Sequence, residues 1–135
     1  MKNIYSNIYK PTNNNLTKAK IIVDNGGVVA VPTETVYGLA ANAYNNKAIQ
    51  KIYSLKRRPS RNPLIVHFKN IESIKSEAVI NKNFLKLVKK FSPGPLTYIL
   101  KKKKISKISK LANKGLDTIA VRIPKEKNII KLSYT

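Results

Sequence analysis

The chain has 135 residues, with 27 Lys or Arg against 6 Asp or Glu, a formal charge of +21 and 42% hydrophobic residues. That is enough apolar content for a single folded domain over 1–135, and so much positive charge that anionic partners such as nucleic acid or nucleotides are expected. The absence of Cys excludes disulfides, a thiolate nucleophile and thiolate metal sites, and one His beside six carboxylates gives no metal centre to expect.

Residues 1–14 read as a polar lead-in, with a short strand at Ile4–Tyr9. It holds no apolar signal core, and runs such as GGVVAVP are too short to span a bilayer. No membrane partner and a cytoplasmic location are therefore expected. Leu16, Ala19, Ile22 and Val23 then recur at helical spacing, and Gly26–Gly27 supply the stop. Val28–Pro32 is an apolar, β-branched run that reads as a buried strand ended by its proline. The following TETVYGLAANA is uncharged apart from Glu34 and reads as a loop or turn with a short strand.

Asn45 or Asn46 caps a helix over about 46–56 that faces inward through Ile49, Ile52 and Tyr53. Pro59 and Pro63 keep 57–63 irregular. Leu64–Phe68 is the next strand, and a helix over about 82–91 follows with Phe84, Leu87, Val88 and Phe91 as its core stripe. The breaker SPGP precedes a strand at Leu96–Leu100 that runs into KKKK. Asp117–Pro124 is a further strand, and a last helix starts near Lys125. Strands alternating with helices predict an α/β fold with a mostly covered sheet.

Three of the four Arg residues, Arg57, Arg58 and Arg61, crowd into KRRPSRNP, where two prolines frame a stiff loop behind Lys56. Arg offers a planar fork for phosphate or carboxylate where Lys offers a point charge, and Ser60 and Asn62 add neutral donors. Such a loop suits a triphosphate; the plainer reading is a solvated basic loop at a helix C-terminus. Lys is spread along the whole chain, so composition bias accounts for part of the charge.

Thr33, Glu34, Thr35 and Tyr37 follow a strand, at the kind of position where α/β sheets collect ligands. They serve equally as a turn bonded to its own backbone. His67 is the one imidazole, on the strand face opposite Leu64, Val66 and Phe68. Arg122 is embedded in the apolar strand DTIAVRIP beside Thr118, so it needs an anionic neighbour, from a ligand or from Asp117 or Glu34. The phosphate-binding glycine motifs G-x-x-x-x-G-K-[ST] and G-x-G-x-x-G are absent, as is the G-x-S-x-G elbow.

VPTETVYGLAANA, KRRPSRNPLIVHF, FSPGPLTYIL and GLDTIAVRIP, in this order, resemble the Sua5/YrdC/YciO family, the threonylcarbamoyl-AMP synthases. The resemblance covers roughly residues 19–124. It implies an open twisted mixed sheet with helices, YrdC/RibB-like, incomplete at the C-terminus, because the chain stops at NIIKLSYT before the family's P-S-A-N segment.

It also implies a nucleotidyltransferase that makes threonylcarbamoyl-AMP and pyrophosphate from L-threonine, bicarbonate and ATP, for the t6A modification of tRNA at position 37. Lys56 and Arg58 would be catalytic and hold the ATP phosphates or the carbamate. Ser60, Asn62 and Thr118 would complete the nucleotide contacts. Thr33, His67 and Arg122 would bind threonine, and Arg57 and Arg61 would serve RNA. Mg²⁺ would be carried on the phosphates, with no protein metal site. Implied partners are tRNA or double-stranded RNA and the t6A transfer machinery. The alternative is a basic RNA-binding module of the same fold without catalysis, or a remnant of that fold.

Overall fold

A computed structural model describes residues 7–57, 59 and 62–132. Helix α1 (Asn13–Asp24) starts where the Thr12 side chain accepts the Asn15 N–H at 3.3 Å, so the polar lead-in ends two residues earlier than composition suggests. Of the expected strand at Ile4–Tyr9, residues 4–6 lie outside the described region, and Ile8 and Tyr9 are exposed and extended in no sheet. The helix stops at Gly26, whose φ of +79° lets the chain reverse. The Gly26 carbonyl then accepts Lys51 Nζ at 2.9 Å, tying this corner to the next helix.

Strand β1 (Val29–Val31) pairs antiparallel with β2 (Gly38–Ala40), placing Val31 opposite Gly38. β1 is not the buried strand its composition predicts: Val31 is buried, Val29 is half-buried and Ala30 is exposed. A two-stranded ribbon has one face to cover, so its residues alternate. The PTETVY segment becomes the six-residue loop of this ribbon, closed over residues 32–37.

Asn45, not Asn46, caps α2 (Asn46–Lys56), accepting the Ala48 N–H at 3.1 Å. Ile49 and Ile52 are buried from this helix. The three-stranded sheet has the order β3 (Ile65–His67), β5 (Thr118–Arg122), β4 (Tyr98–Lys101). β3 runs parallel to β5 and β4 antiparallel, so the sheet is mixed, as expected. Its inner face carries Val66, Ile119, Val121, Tyr98 and Leu100 against α2, α3 (Ile71–Glu77) and α4 (Lys82–Phe91). Its outer face carries Ile65, His67, Thr118, Ala120, Arg122, Ile99 and Lys101. There Ile65 and Ile99 are exposed.

α3 had no strong apolar period to announce it; it is capped by Asn70, which accepts the Ser73 N–H at 2.9 Å. The core stripe expected on α4 is narrower than predicted. Phe84 and Val88 are buried, whereas Leu87 and Phe91 are each 44% exposed. The helix leans on the sheet along one i, i+4 line, with Phe84 edge-on to Tyr98 at 5.1 Å, and the neighbouring line turns to solvent. Helix α5 (Lys127–Leu132) closes a second small core, where Ile129 and Leu132 meet Val31 and Ala19. Among the described residues no helix is long and apolar enough to cross a membrane.

Glu77 is a buried carboxylate, 5% exposed, and it joins three segments. It accepts the Tyr44 hydroxyl at 3.0 Å, the Ser106 hydroxyl and the Lys107 N–H at 3.0 Å. Burial, the Glu77 charge and that hydrogen bond push the Tyr44 phenol up to about 12. A raised phenol pKa favours the neutral form, so its stabilisation is complete below the ordinary value of 10 and is lost as pH rises toward 12. Replacing Glu77 by Ala removes the acceptor shared by three donors and is expected to cost roughly 2–3 kcal/mol in urea unfolding. Glu77→Gln should bring the Tyr44 titration back toward 10 in ring-labelled NMR.

Candidate functional site

A cavity of about 320 Å³ opens between the β1–β2 ribbon, α2 and β3. Its lining includes Thr33 from the ribbon loop, Lys56 from the last turn of α2 and His67 from β3. Three segments distant in sequence thus bring a hydroxyl, an ammonium and an imidazole to one space. The parallel register sets His67 directly beside Arg122 on the same outer face of the sheet.

Arg122 is half-buried and donates from Nε and Nη2 to Thr97 Oγ1 at 3.1 and 2.8 Å. The anionic neighbour its sequence setting demanded is Glu34, whose carboxylate feels the guanidinium charge. Glu34 Oε1 accepts the backbone N–H groups of Lys125 and of Glu126, the latter at 3.3 Å, which pins the ribbon loop to the chain leaving β5. Burial opposes ionisation of Glu34, but N–H groups of its own residue, Lys125 and Glu126, together with Arg122, outweigh it and hold the carboxyl below its ordinary value.

The His67 pKa is depressed, first by burial and then by the Arg122 charge; Glu34 and a backbone hydrogen bond at Ile65 oppose this without reversing it. His67 Nε2 is buried and has no hydrogen-bond partner. Glu34 Oε2 is likewise buried and unpartnered.

The other residues singled out from sequence divide as follows. Thr33 Oγ1 is committed to its own turn: it accepts the N–H groups of Thr35 and Val36, each at 3.1 Å, and donates to the Val36 carbonyl at 2.5 Å. The self-bonded turn foreseen for this segment is therefore present, and Thr33 shapes the cavity wall as well as lining it. Asn62 is exposed and outside the cavity lining; its carbonyl accepts the Tyr53 hydroxyl at 2.8 Å. Thr118 shares a sheet face with Arg122 but sits at the far end of β5 opposite Lys101, about 13 Å away at the usual rise per residue, and does not line the cavity.

Arg58, Ser60 and Arg61 lie outside the described residues. Arg57 is exposed and terminates α2 with φ +47° and ψ +32°. Sequence reading named Glu34 among the polar groups after β1 and as a candidate partner for Arg122, but gave Thr97 no part. Glu34 did carry a signal, as the one charge in an otherwise neutral stretch. Thr97 carried none, because its part depends on which strand lies next to β5.

The Sua5/YciO/YrdC family model, described as "Telomere recombination", matches residues 21–134. The chain is similar to the threonylcarbamoyl-AMP synthase of Pyrococcus abyssi, 44% identical over 79% of this chain and 31% of that protein. It is similar to that of Bacillus subtilis, 44% identical over 81% of this chain and 32% of that protein. A putative threonylcarbamoyl-AMP synthase of Methanocaldococcus jannaschii is 43% identical over 81% of this chain and 51% of its own length. The chain thus spans about a third to a half of these relatives. The structure of P. abyssi Sua5 complexed with L-threonine superposes with a TM-score of 0.84 at 39% identity, over 90% of this chain and 35% of that one. E. coli YciO shares the fold, with a TM-score of 0.79 at 22% identity over 91% of this chain and 59% of that one.

Because the chain has one His, its titration reads the site directly. Arg122→Leu should raise the His67 pKa and Glu34→Gln should lower it, as followed by imidazole NMR. A depressed histidine stabilises the fold above its ordinary value of 6.5 and loses that contribution as pH falls through its folded pKa. Stability should therefore decline on acidification below 6.5, and His67→Gln should flatten the decline. At the helix end, Arg57→Gly relieves a left-handed non-glycine residue and should raise unfolding free energy by about 0.5–1 kcal/mol in urea melts.

Proposed function

This chain belongs to the Sua5/YciO/YrdC family, and on that premise we propose that it carries the threonine side of a threonylcarbamoyl-AMP synthase acting in t6A modification of tRNA. The observation that carries the reading is the meeting of Lys56, Thr33 and His67 around one cavity, with Arg122 beside His67. The names of the relatives and the L-threonine complex of P. abyssi Sua5 support threonine as the ligand.

The chemistry follows from charge. Threonine's neutral amine and bicarbonate form a carbamate with loss of water, a carbamate oxygen attacks the α-phosphorus of ATP, and pyrophosphate leaves. Every participant but the amine is an anion, so the protein's task is to hold them together and cancel their repulsion. Arg122 takes the threonine carboxylate, His67 stands beside the amino acid, and Lys56 with Arg58 faces the phosphates or the carbamate. Ser60, Asn62 and Thr118 complete the nucleotide side. Among the described residues no group of three His, Cys, Asp or Glu is assembled, so a Mg²⁺ ion would be held through the ATP phosphates.

The charge of +21 favours a second reading, an RNA-binding module of the same fold. Here Arg57 and Arg61 would contact phosphates of tRNA or double-stranded RNA. Pyrophosphate release separates the two. The synthase requires ATP, L-threonine and bicarbonate together and should lose about 100-fold or more on Lys56→Ala. Absence of release, with RNA binding that weakens steeply with salt, would leave the binding module.

A further inference from the structure

Among the described residues, two that are not glycine hold a left-handed backbone, Arg57 with φ +47° and Lys114 with φ +58°. A side chain is disfavoured there, so surrounding contacts must hold the conformation in place. Both residues flank one phenol, that of Tyr53. Arg57 ends α2 directly after Lys56, and its N–H donates back to the Ser54 carbonyl at 3.3 Å. Lys114 sets its ammonium over the Tyr53 ring, 4.0 Å from the centroid.

Tyr53 is half-buried and reaches across the connection from α2 to β3. Its hydroxyl donates to the Asn62 carbonyl at 2.8 Å and lies 3.4 Å from the Leu111 carbonyl. These contacts all stand beside the cavity wall. Tyr53 is three positions before Lys56, Asn62 is two before Leu64, and Leu111 is one before Ala112. Lys56, Leu64 and Ala112 line the cavity, and the Leu64 N–H donates to the Ala112 carbonyl at 2.8 Å. Lys56 is exposed and stands on the last turn, where a helix frays.

We propose that Tyr53, braced by Lys114, is a positioning residue of this site: it fastens the end of α2 to the wall opposite and so fixes where the Lys56 ammonium stands. This rests on the reading of Lys56 as a phosphate contact and adds what holds that contact in place. Tyr53 itself is outside the cavity lining and acts through Lys56. A charge held in place before binding stabilises an anion better than one that must be ordered on binding. The disfavoured backbone at Arg57 and Lys114 accompanies the meeting of three segments at one side chain.

The test is a double-mutant cycle on the full chain, with MgATP and L-threonine binding read by calorimetry. Tyr53→Phe removes the hydroxyl bond to Asn62 and keeps the ring beneath Lys114. It should weaken MgATP binding fivefold or more and L-threonine binding less than twofold. In a Lys56→Met background the same replacement should change MgATP binding less than twofold, because its effect runs through Lys56. Equal weakening in both backgrounds, or of both ligands, would overturn the proposal, since a general loosening of the wall has that signature. Unchanged MgATP affinity in Tyr53→Phe would overturn it as well. Should Lys56→Met bind no MgATP, the split between the two ligands decides. If Tyr53→Phe does not fold, Lys114→Gly takes its place, because glycine accepts the left-handed backbone. That variant should unfold at no lower urea concentration than the wild type yet bind MgATP at least threefold less tightly, and unchanged affinity sinks the proposal. A wild type that binds no MgATP would overturn the reading of Lys56 itself, a pattern distinct from MgATP binding that is indifferent to Tyr53.

Discussion

The parallel pairing of β3 with β5 is the constraint on which the site depends. It sets His67 against Arg122 and, one residue back, Val66 against Val121. Alternation then sends the first pair to the outer face and the second into the core. A slip of one residue in β5 would bury a guanidinium among Val66, Tyr98 and Leu100 and expose Ile119 and Val121. The hydrophobic core thus enforces the register, and the register places the functional groups. β5 is fixed from its other side as well, by antiparallel pairing with β4 that brings Thr97 to the guanidinium.

Charge is distributed in this protein on two scales. Across the surface, Lys dominates and gives the molecule a field that draws in anions. Around His67 the balance is finer, because the Glu34 carboxylate and the Arg122 guanidinium act on the imidazole in opposite senses. The long-range field raises the local concentration of phosphates and nucleic acid.

The ribbon loop shows how local and tertiary interactions cooperate. Thr33 organises residues 33–36 through its own hydroxyl, which presents Glu34 toward the end of β5. Glu34 then fastens the loop by accepting from backbone donors more than ninety positions away in sequence, at the entry to α5. α5 in turn packs on Val31 below the loop. The turn, the carboxylate and the small second core thus support one another.

Much of this was legible in the order of residues. Asn45, Gly26 and the prolines act through their immediate neighbours, so caps and breaks could be read locally, and the run of four motifs marked the family. The sequence by itself determined that helices and strands alternate, whereas the fold brings Lys56 and His67 to one cavity and sets Arg122 beside His67 in the sheet. The sequence could not determine that Glu34 accepts from Lys125 and Glu126, that Thr97 holds Arg122, that Leu87 and Phe91 lie outside the core, or that Thr118 and Asn62 stand away from the cavity. Those outcomes depend on strand order, register and helix tilt, which arise when segments dozens of residues apart compete to bury the same apolar surface, and only the folded chain resolves that competition.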